Sequence, residues 1–211
     1  MKVLELFAGS RSIGKVAESL GMEVFSCDIN DFKGIDYVGN ILNFDYSKVP
    51  FKPDIIWASP PCTGFTVCTI GRNWRLSDKG KAIATSTTSK LGVKLLNKTI
   101  EIIEYYNPDS FFIENPRGMM RRMDQLNDYV RHTVTYCQYG DSRMKPTDIW
   151  TNNTNWNPRE ACKNGSPCHT PAPRGSQTGT QGLANAYERS KLPKKLCKEI
   201  LNSCLELNLA Y

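Results

Sequence analysis

Short apolar runs that alternate with helical patterns constrain this chain more than any other feature. "KVLELF", residues 2–7, enters the turn "AGSRS"; Ile13, Val16, Ala17 and Leu20 then recur at helical spacing, and Gly21 closes the helix. "MEVFSCDI" reads as a second strand ending on Asp28, "DYVGNI" as a weaker one, and "PDIIWAS" at 53–59 as a third clear strand. Leu91, Leu95, Leu96, Ile100 and Ile103 predict a long amphipathic helix stopped by Asn107 and Pro108, after which "SFFIEN" is the next strand. Strands and helices in this order build βαβ units, so an α/β fold is expected: a mostly parallel sheet with helices on both faces. "HTVTYCQYG" and "TDIWTN" predict an antiparallel pair at its edge. "LPKKLCKEILNSCLEL" predicts a closing amphipathic helix with Pro193 near its first turn.

The 211 residues suffice for one domain with a real core, and 40% hydrophobic against 23% charged residues is ordinary globular composition. Three regions are expected: a core over 1–150, an irregular Asn-, Thr-, Pro- and Gly-rich segment over 151–182, and a C-terminal segment over 183–211 that returns to the core. No run is long enough to span a bilayer and none opens like a signal peptide. The chain is therefore expected in the cytoplasm, that of a bacterial host if it is viral, acting as a monomer without a membrane. Its eight cysteines are scattered, which predicts free thiols. Cys162, Cys168 and His169 put three potential metal ligands within eight residues. Their spacing matches no common finger and a fourth ligand would have to come from elsewhere, so no metal is expected.

Three distinctive pieces fall at strand ends, where doubly wound sheets bind ligands: "FAGS", "SPPCTGF" and "ENPRG". Asp28 ends the second strand where an acid can bind the hydroxyl pair of a ribose. "SRS" lacks the remaining glycines of a dinucleotide fingerprint, which favours a smaller nucleoside ligand over a pyrophosphate. Between Thr63 and Lys98 stand Arg72, Arg75, Lys79, Lys81, Lys90, Lys94 and Lys98 against the single acid Asp78, an excess equal to the net charge of +6. A basic run directly after Cys62 points to a bound polyanion, carried on a mobile loop that closes over phosphates.

Together these residues resemble the DNA cytosine carbon-5 methyltransferases. "LELFAGSRSIGKVAESLGMEVFSCDIN" is similar to the family's S-adenosylmethionine-binding start and "SPPCTGF" to its Pro-Cys motif. "FFIENPRG" resembles its Glu-Asn-Val motif, "CQYGDSRMKPTDIW" its arginine-containing strand, and "GLANAYERSKLPKKLCKEI" its closing segment. The resemblance runs from Lys2 to Leu205 except over 151–180. It implies a Rossmann-like methyltransferase fold, S-adenosylmethionine as cofactor and DNA as partner. Cys62 would be the thiolate that adds to carbon 6 of a flipped-out cytosine, so that carbon 5 takes the methyl group. Glu114 would hydrogen-bond the ring N3 and the exocyclic amine, Asn115 would fix the Cys62 loop, and Arg143 or neighbouring backbone N–H groups would favour the thiolate. Phe7, Ala8, Gly9, Ser10, Asp28, Ile29, Asn40, Ile41, Pro60, Asn185 and Ala186 would hold the cofactor. Arg72, Arg75, Lys79, Lys81, Lys145 and Arg174 would contact DNA.

The chain also departs from the family pattern. Arg11 stands where a glycine is usual, and an arginine does not easily take positive φ, so a different turn is expected there. Asn40 replaces an Asp, and Pro116 a Val. Aligned on Tyr139 and Gly140, Arg143 falls on the family's Gln, Lys145 on its first Arg and Thr147 on its second, and the cationic role is expected of Arg143 and Lys145. Residues 151–181 stand in place of a target-recognition domain, which implies short or relaxed specificity or a partner protein that supplies it. Two other readings stay open: the same chemistry on RNA or a modified pyrimidine, and a non-catalytic DNA-binding protein on this scaffold.

Overall fold

The computed structural model describes residues 1–171, 183 and 185–207. Arg174 lies outside them. Strand β1 (Lys2–Leu6) leads into helix α1 (Ser12–Ser19), then β2 (Glu23–Asp28), the two-residue β3 (Tyr37–Val38) and β4 (Ile55–Ala58). A short helix α2 (Ile70–Asn73) precedes the hairpin β5 (Trp74–Leu76) and β6 (Ala82–Ala84), followed by the long α3 (Thr87–Tyr106). Next come β7 (Ser110–Pro116), β8 (Val130–Thr135) and β9 (Pro146–Thr151), then α4 (Ala186–Ser190) and α5 (Lys194–Leu207). The main sheet has the order β3-β2-β1-β4-β7-β9-β8. Its first five members pair in parallel, and β9 runs antiparallel to both β7 and β8. The fold is the Rossmann-like α/β arrangement expected from the alternation, with the antiparallel pair at one edge.

The period of two along each strand sends alternate residues to opposite faces. Leu4, Leu6, Ile56 and Ala58 face one core with Leu96, Ile100 and Ile103 of α3. Val3, Ile55 and Trp57 face the other with Ile13 and Val16 of α1 and Leu196, Ile200 and Leu201 of α5. Helix α3 starts on a capping box in which Ser86 and Ser89 satisfy each other's backbone N–H. It ends on Asn107, whose φ of 44° is the left-handed cap, with Pro108 preventing continuation.

The basic run is not a loose loop. Arg72 lies on α2, Arg75 on β5, and Lys90, Lys94 and Lys98 on α3, while Lys79 and Lys81 flank the hairpin turn. Buried Trp74 anchors this hairpin by stacking on Phe65 at 5.7 Å and donating Nε1–H to the Gly64 carbonyl at 2.7 Å. Alternating charge and polarity hid the hairpin, because only Trp74 of its six strand residues is buried.

The turn after β1 also corrects an expectation. Arg11 does adopt the left-handed conformation, φ 54° and ψ 44°, in the place of a glycine. Its side chain holds it there, donating from Nε to Ser26 Oγ at 3.0 Å and from Nη2 to Glu18 at 2.5 Å. Beneath it lies buried Glu5, which accepts from Ile13 N and Ser26 Oγ, each at 3.1 Å. Burial pushes the Glu5 carboxyl up from 4.5 to about 7, against the pull of these hydrogen bonds and of Arg11. The unfolded chain therefore gives up this proton first, and stability from this group falls as pH rises from about 4.5 to about 7. The loss amounts to roughly 3 kcal/mol. In Glu5→Gln that part of the pH dependence should vanish, which urea unfolding at pH 5 and pH 8 measures against wild type.

Candidate active site

Parallel pairing of β4 with β7, with Ala58 opposite Ile113, brings the carboxyl ends of these strands side by side. The Cys62 loop leaves one and Glu114 and Asn115 sit on the other. Pro61, at φ −52°, opens the single helical turn Cys62–Gly64, which the Phe65 N–H closes on the Cys62 carbonyl at 2.8 Å. Asn115, fully buried, donates Nδ2–H to the Pro60 carbonyl at 2.8 Å and so ties the loop to β7. A second tie runs through Gly118: Met119 N donates to Phe65 O at 2.8 Å, and Thr66 and Gly118 form a bridge. A Cβ on Gly118 would collide with the Phe65 carbonyl oxygen.

Glu114 is buried and accepts from the Tyr136 hydroxyl at 3.3 Å. Burial raises its pKa, opposed by the Lys145 charge and by hydrogen bonds from Ser59 and Tyr136. Burial likewise pushes the Cys62 thiol up, and the Glu114 charge adds to that push. Lys145 and Arg189 are the cations that pull it back. The guanidinium of Arg143, expected to favour the thiolate, is held by Asp141, 2.8 Å from Nε and 2.5 Å from Nη2, and reaches the carbonyls of Glu188, Arg189 and Lys191. An acid two residues upstream in a tight turn captures it. Lys145 is not a surface phosphate contact, being only 7% exposed. Its Nζ lies 4.6 Å from the Tyr136 ring centroid and 2.9 Å from the Arg189 carbonyl.

Lys145 also takes a φ of 28°, which for a residue other than glycine stores about 1–3 kcal/mol of strain. Its amine, its pKa lowered by burial and supported by Glu114, is thus held in place beside the Glu114–Cys62 pair. Tyr136, Ser59 and Arg189 belong to this group and were not singled out from sequence. No motif spacing marks them, since strand pairing and the return of α4 bring them in.

Next to the thiol lies an apolar cavity of about 200 Å³, with Pro61 at one edge. Phe7, Asp28, Ile29, Asn40 and Ile41, five of the residues expected at the cofactor, line it together with Tyr37, Phe44 and Leu95. Ile29 lines the cavity while remaining 65% exposed. Asp28 accepts Gly9 N–H at 2.9 Å and Asn30 N–H at 2.8 Å, fixing the turn after β1. Asn40 Oδ1 accepts from Leu42 N at 3.0 Å. Gly9 takes φ 48°, which its missing side chain permits. Ala8, Gly9, Ser10 and Pro60 lie on the same turns without lining the cavity. Asn185 caps α4 by accepting from Tyr187 N, and Ala186 begins that helix. Tyr187 packs on Phe32 at 5.3 Å and Leu192 N donates to Ser12 Oγ at 3.1 Å, so this segment comes back to the β1–α1 turn.

A second concavity, about 420 Å³, lies between the hairpin and α3 and is lined by Lys81, Lys90, Lys94 and Arg122. Lys81 pairs with Asp124 at its rim at 2.7 Å. Arg72, Arg75 and Lys79 are exposed. No described helix is long and apolar enough to cross a membrane.

Comparison with known proteins agrees with this arrangement. The family model of the C-5 cytosine-specific DNA methylases matches residues 1–135. A probable DNA (cytosine-5)-methyltransferase of Frog virus 3 is 30% identical over 220 residues, covering 97% of this chain and all of the relative. Among solved structures, the Entamoeba histolytica methyltransferase EhMeth superposes with a TM-score of 0.53 at 15% identity over 77% of this chain. For a mutant of DNMT2 from Spodoptera frugiperda the TM-score is 0.49 at 20% identity over 79% of this chain. This chain spans 57% of each of those two structures. The matched family residues include the Cys62 loop, Glu114 and the turn after β1, and the match extends over more than half the sequence. The chain belongs to the C-5 cytosine-specific DNA methylase family.

Proposed function

We propose that the protein transfers a methyl group from S-adenosylmethionine to carbon 5 of cytosine in DNA, through a covalent adduct of Cys62 at carbon 6. The observation that carries this is the junction of the apolar cavity with Cys62, Glu114 and Lys145 at adjoining strand ends. The cavity suits the cofactor's adenosine: Ile29 and Ile41 offer apolar faces, while Asp28 and Asn40 offer polar atoms at the wall. Bound there, the cofactor would supply an electrophilic methyl group.

The chain's own residues then divide the work. Glu114, with its pKa raised by burial, keeps its proton more readily and donates it toward ring N3. In that acid form it no longer places a negative charge beside Cys62, while Lys145 still favours the thiolate. Base binding and thiol activation are thereby coupled. Cys62 adds to carbon 6 as N3 takes the Glu114 proton, carbon 5 takes the methyl group and passes its own proton to water, and the Cys62 thiolate is expelled as N3 returns its proton to Glu114. The cytosine has to leave its duplex stack to reach Cys62. Arg72, Arg75, Lys79 and Lys81 and the basic concavity fit the flanking phosphates. Residues 151–182 replace a recognition domain, so the target is short or specificity comes from a partner protein.

The test is transfer of a labelled methyl group to unmethylated duplex DNA, with digestion to nucleosides read by mass. The expected product is 5-methyldeoxycytidine; cofactor binding without that product would overturn the DNA reading. Gly118→Ala should slow transfer about 10²-fold by displacing the Cys62 loop. Cofactor affinity should stay unchanged, because Gly118 does not line the cavity.

A further inference from the structure

We propose that Cys137, Cys162, Cys168 and His169 bind one zinc ion that fastens the 152–171 segment to the core. The fourth ligand that sequence spacing did not supply comes from Cys137, in the tight turn after β8 and 25 residues before Cys162. All four ligand atoms lie within 4.8 Å of one another. Cys137 Sγ is 3.1 Å from Cys162 Sγ, and His169 Nδ1 is 3.7 Å from the sulfurs of both Cys162 and Cys168. With Zn–S of about 2.3 Å and Zn–N of about 2.0–2.1 Å, a tetrahedral site sets neighbouring ligand atoms roughly 3.5–3.8 Å apart. Three thiols and one imidazole nitrogen are a closed structural set, leaving no position for water or substrate.

The surroundings favour metal over chance proximity. Gln138 Nε2 lies 3.7 Å from Cys168 Sγ and Cys162 N donates to Thr135 Oγ1 at 2.9 Å, contacts that orient ligands from outside. From residue 157 to 171 no side chain is buried, and the stretch holds neither helix nor strand. Ordering each residue of such a segment costs about 1–2 kcal/mol of backbone entropy, with no apolar burial to offset it. What ties the segment down is Arg159, through its ion pair with Glu199 and its hydrogen bonds to the Tyr139 hydroxyl and the Gln138 carbonyl, the Cys162 N bond to Thr135 Oγ1, the Thr170 N bond to Ser142 O at 2.8 Å, and this cluster. Zinc would supply the missing stabilisation at the point where the chain leaves the core.

The test uses the full chain, purified under reducing conditions without a metal-affinity step, and elemental analysis by mass spectrometry. About one zinc per chain is expected. Exchange into cobalt should give a thiolate-to-cobalt charge-transfer band and the visible bands of a tetrahedral centre. Cys162→Ser and Cys168→Ser should each lower the metal content, while Cys68→Ser should leave it intact. If those variants fail to fold, the wild-type zinc content and cobalt spectrum decide alone. Metal-free wild type with no tetrahedral cobalt spectrum would overturn the proposal, as would a Cys137–Cys162 disulfide in a non-reduced peptide map. Neither readout depends on methyl transfer.

Discussion

Cys62→Ala should bind S-adenosylmethionine as wild type does and transfer no measurable methyl group, a loss on the order of 10⁴-fold or more. Carbon 5 of cytosine is a poor nucleophile until a thiolate adds at carbon 6, and Cys62 directly follows the cavity-lining Pro61 and feels the charges of both Glu114 and Lys145. Cys27, Cys197 and Cys204 are buried, and burial raises each of their thiol pKa values. The cavity is lined by Pro61 and not by Cys62, so the adenosine contacts survive the substitution. Calorimetric cofactor titration beside the methyl-transfer assay checks both halves. Transfer persisting in Cys62→Ala would remove the covalent mechanism.

Glu114→Gln should separate two effects that a merely structural role would not separate. Turnover is expected to fall about 10²–10³-fold, because an amide keeps a hydrogen bond to ring N3 but cannot hand over a proton as negative charge builds. Alkylation of Cys62 by iodoacetamide, followed by peptide mass mapping, should in the same variant become several-fold faster. The Glu114 charge raises the Cys62 pKa, and its removal leaves the Lys145 field unopposed. Lys145→Met should do the opposite and slow alkylation. The sign with pH follows: the thiol pKa is raised above its ordinary value, so alkylation of wild type climbs with pH past the usual thiol range. Glu114→Gln should move that rise to lower pH. Equal alkylation rates in wild type and Glu114→Gln would show that the carboxyl does not act on the thiol.

Local pattern carried most of the scaffold. The strands at Lys2–Leu6, Glu23–Asp28, Ile55–Ala58 and Ser110–Pro116, and the helices at Ser12–Ser19 and Thr87–Tyr106, fall where apolar periodicity puts them. Their signal is strong because each buries a face, and burial imposes a period of two or of 3.6 on the sequence. The β5–β6 hairpin carried no such signal, since it exposes nearly all of its side chains and rests on one tryptophan. Arg11 shows the opposite error. Residue type argued against a left-handed turn, yet Ser26 and Glu18, distant or one helix away, hold the arginine in it.

The candidate site divides along the same line. Cys62, Glu114 and the wall residues Asp28 and Ile29 sit at strand ends or just beyond, and strand ends are visible in sequence because the apolar run stops there. Where the two candidate cations sit was decided by tertiary structure. Arg143 and Lys145 are two residues apart, yet one is captured by Asp141 and the other is seated against the Tyr136 ring. Cys137 joins Cys162, Cys168 and His169 only because the turn after β8 lies beside the loop after β9. The sequence by itself determined the parallel scaffold and the residues carried on its strand ends, since both follow from local periodicity and chain order. The side-chain contacts at the antiparallel edge, Lys145 against the Tyr136 ring and Cys137 beside Cys162, join residues that no local period singles out.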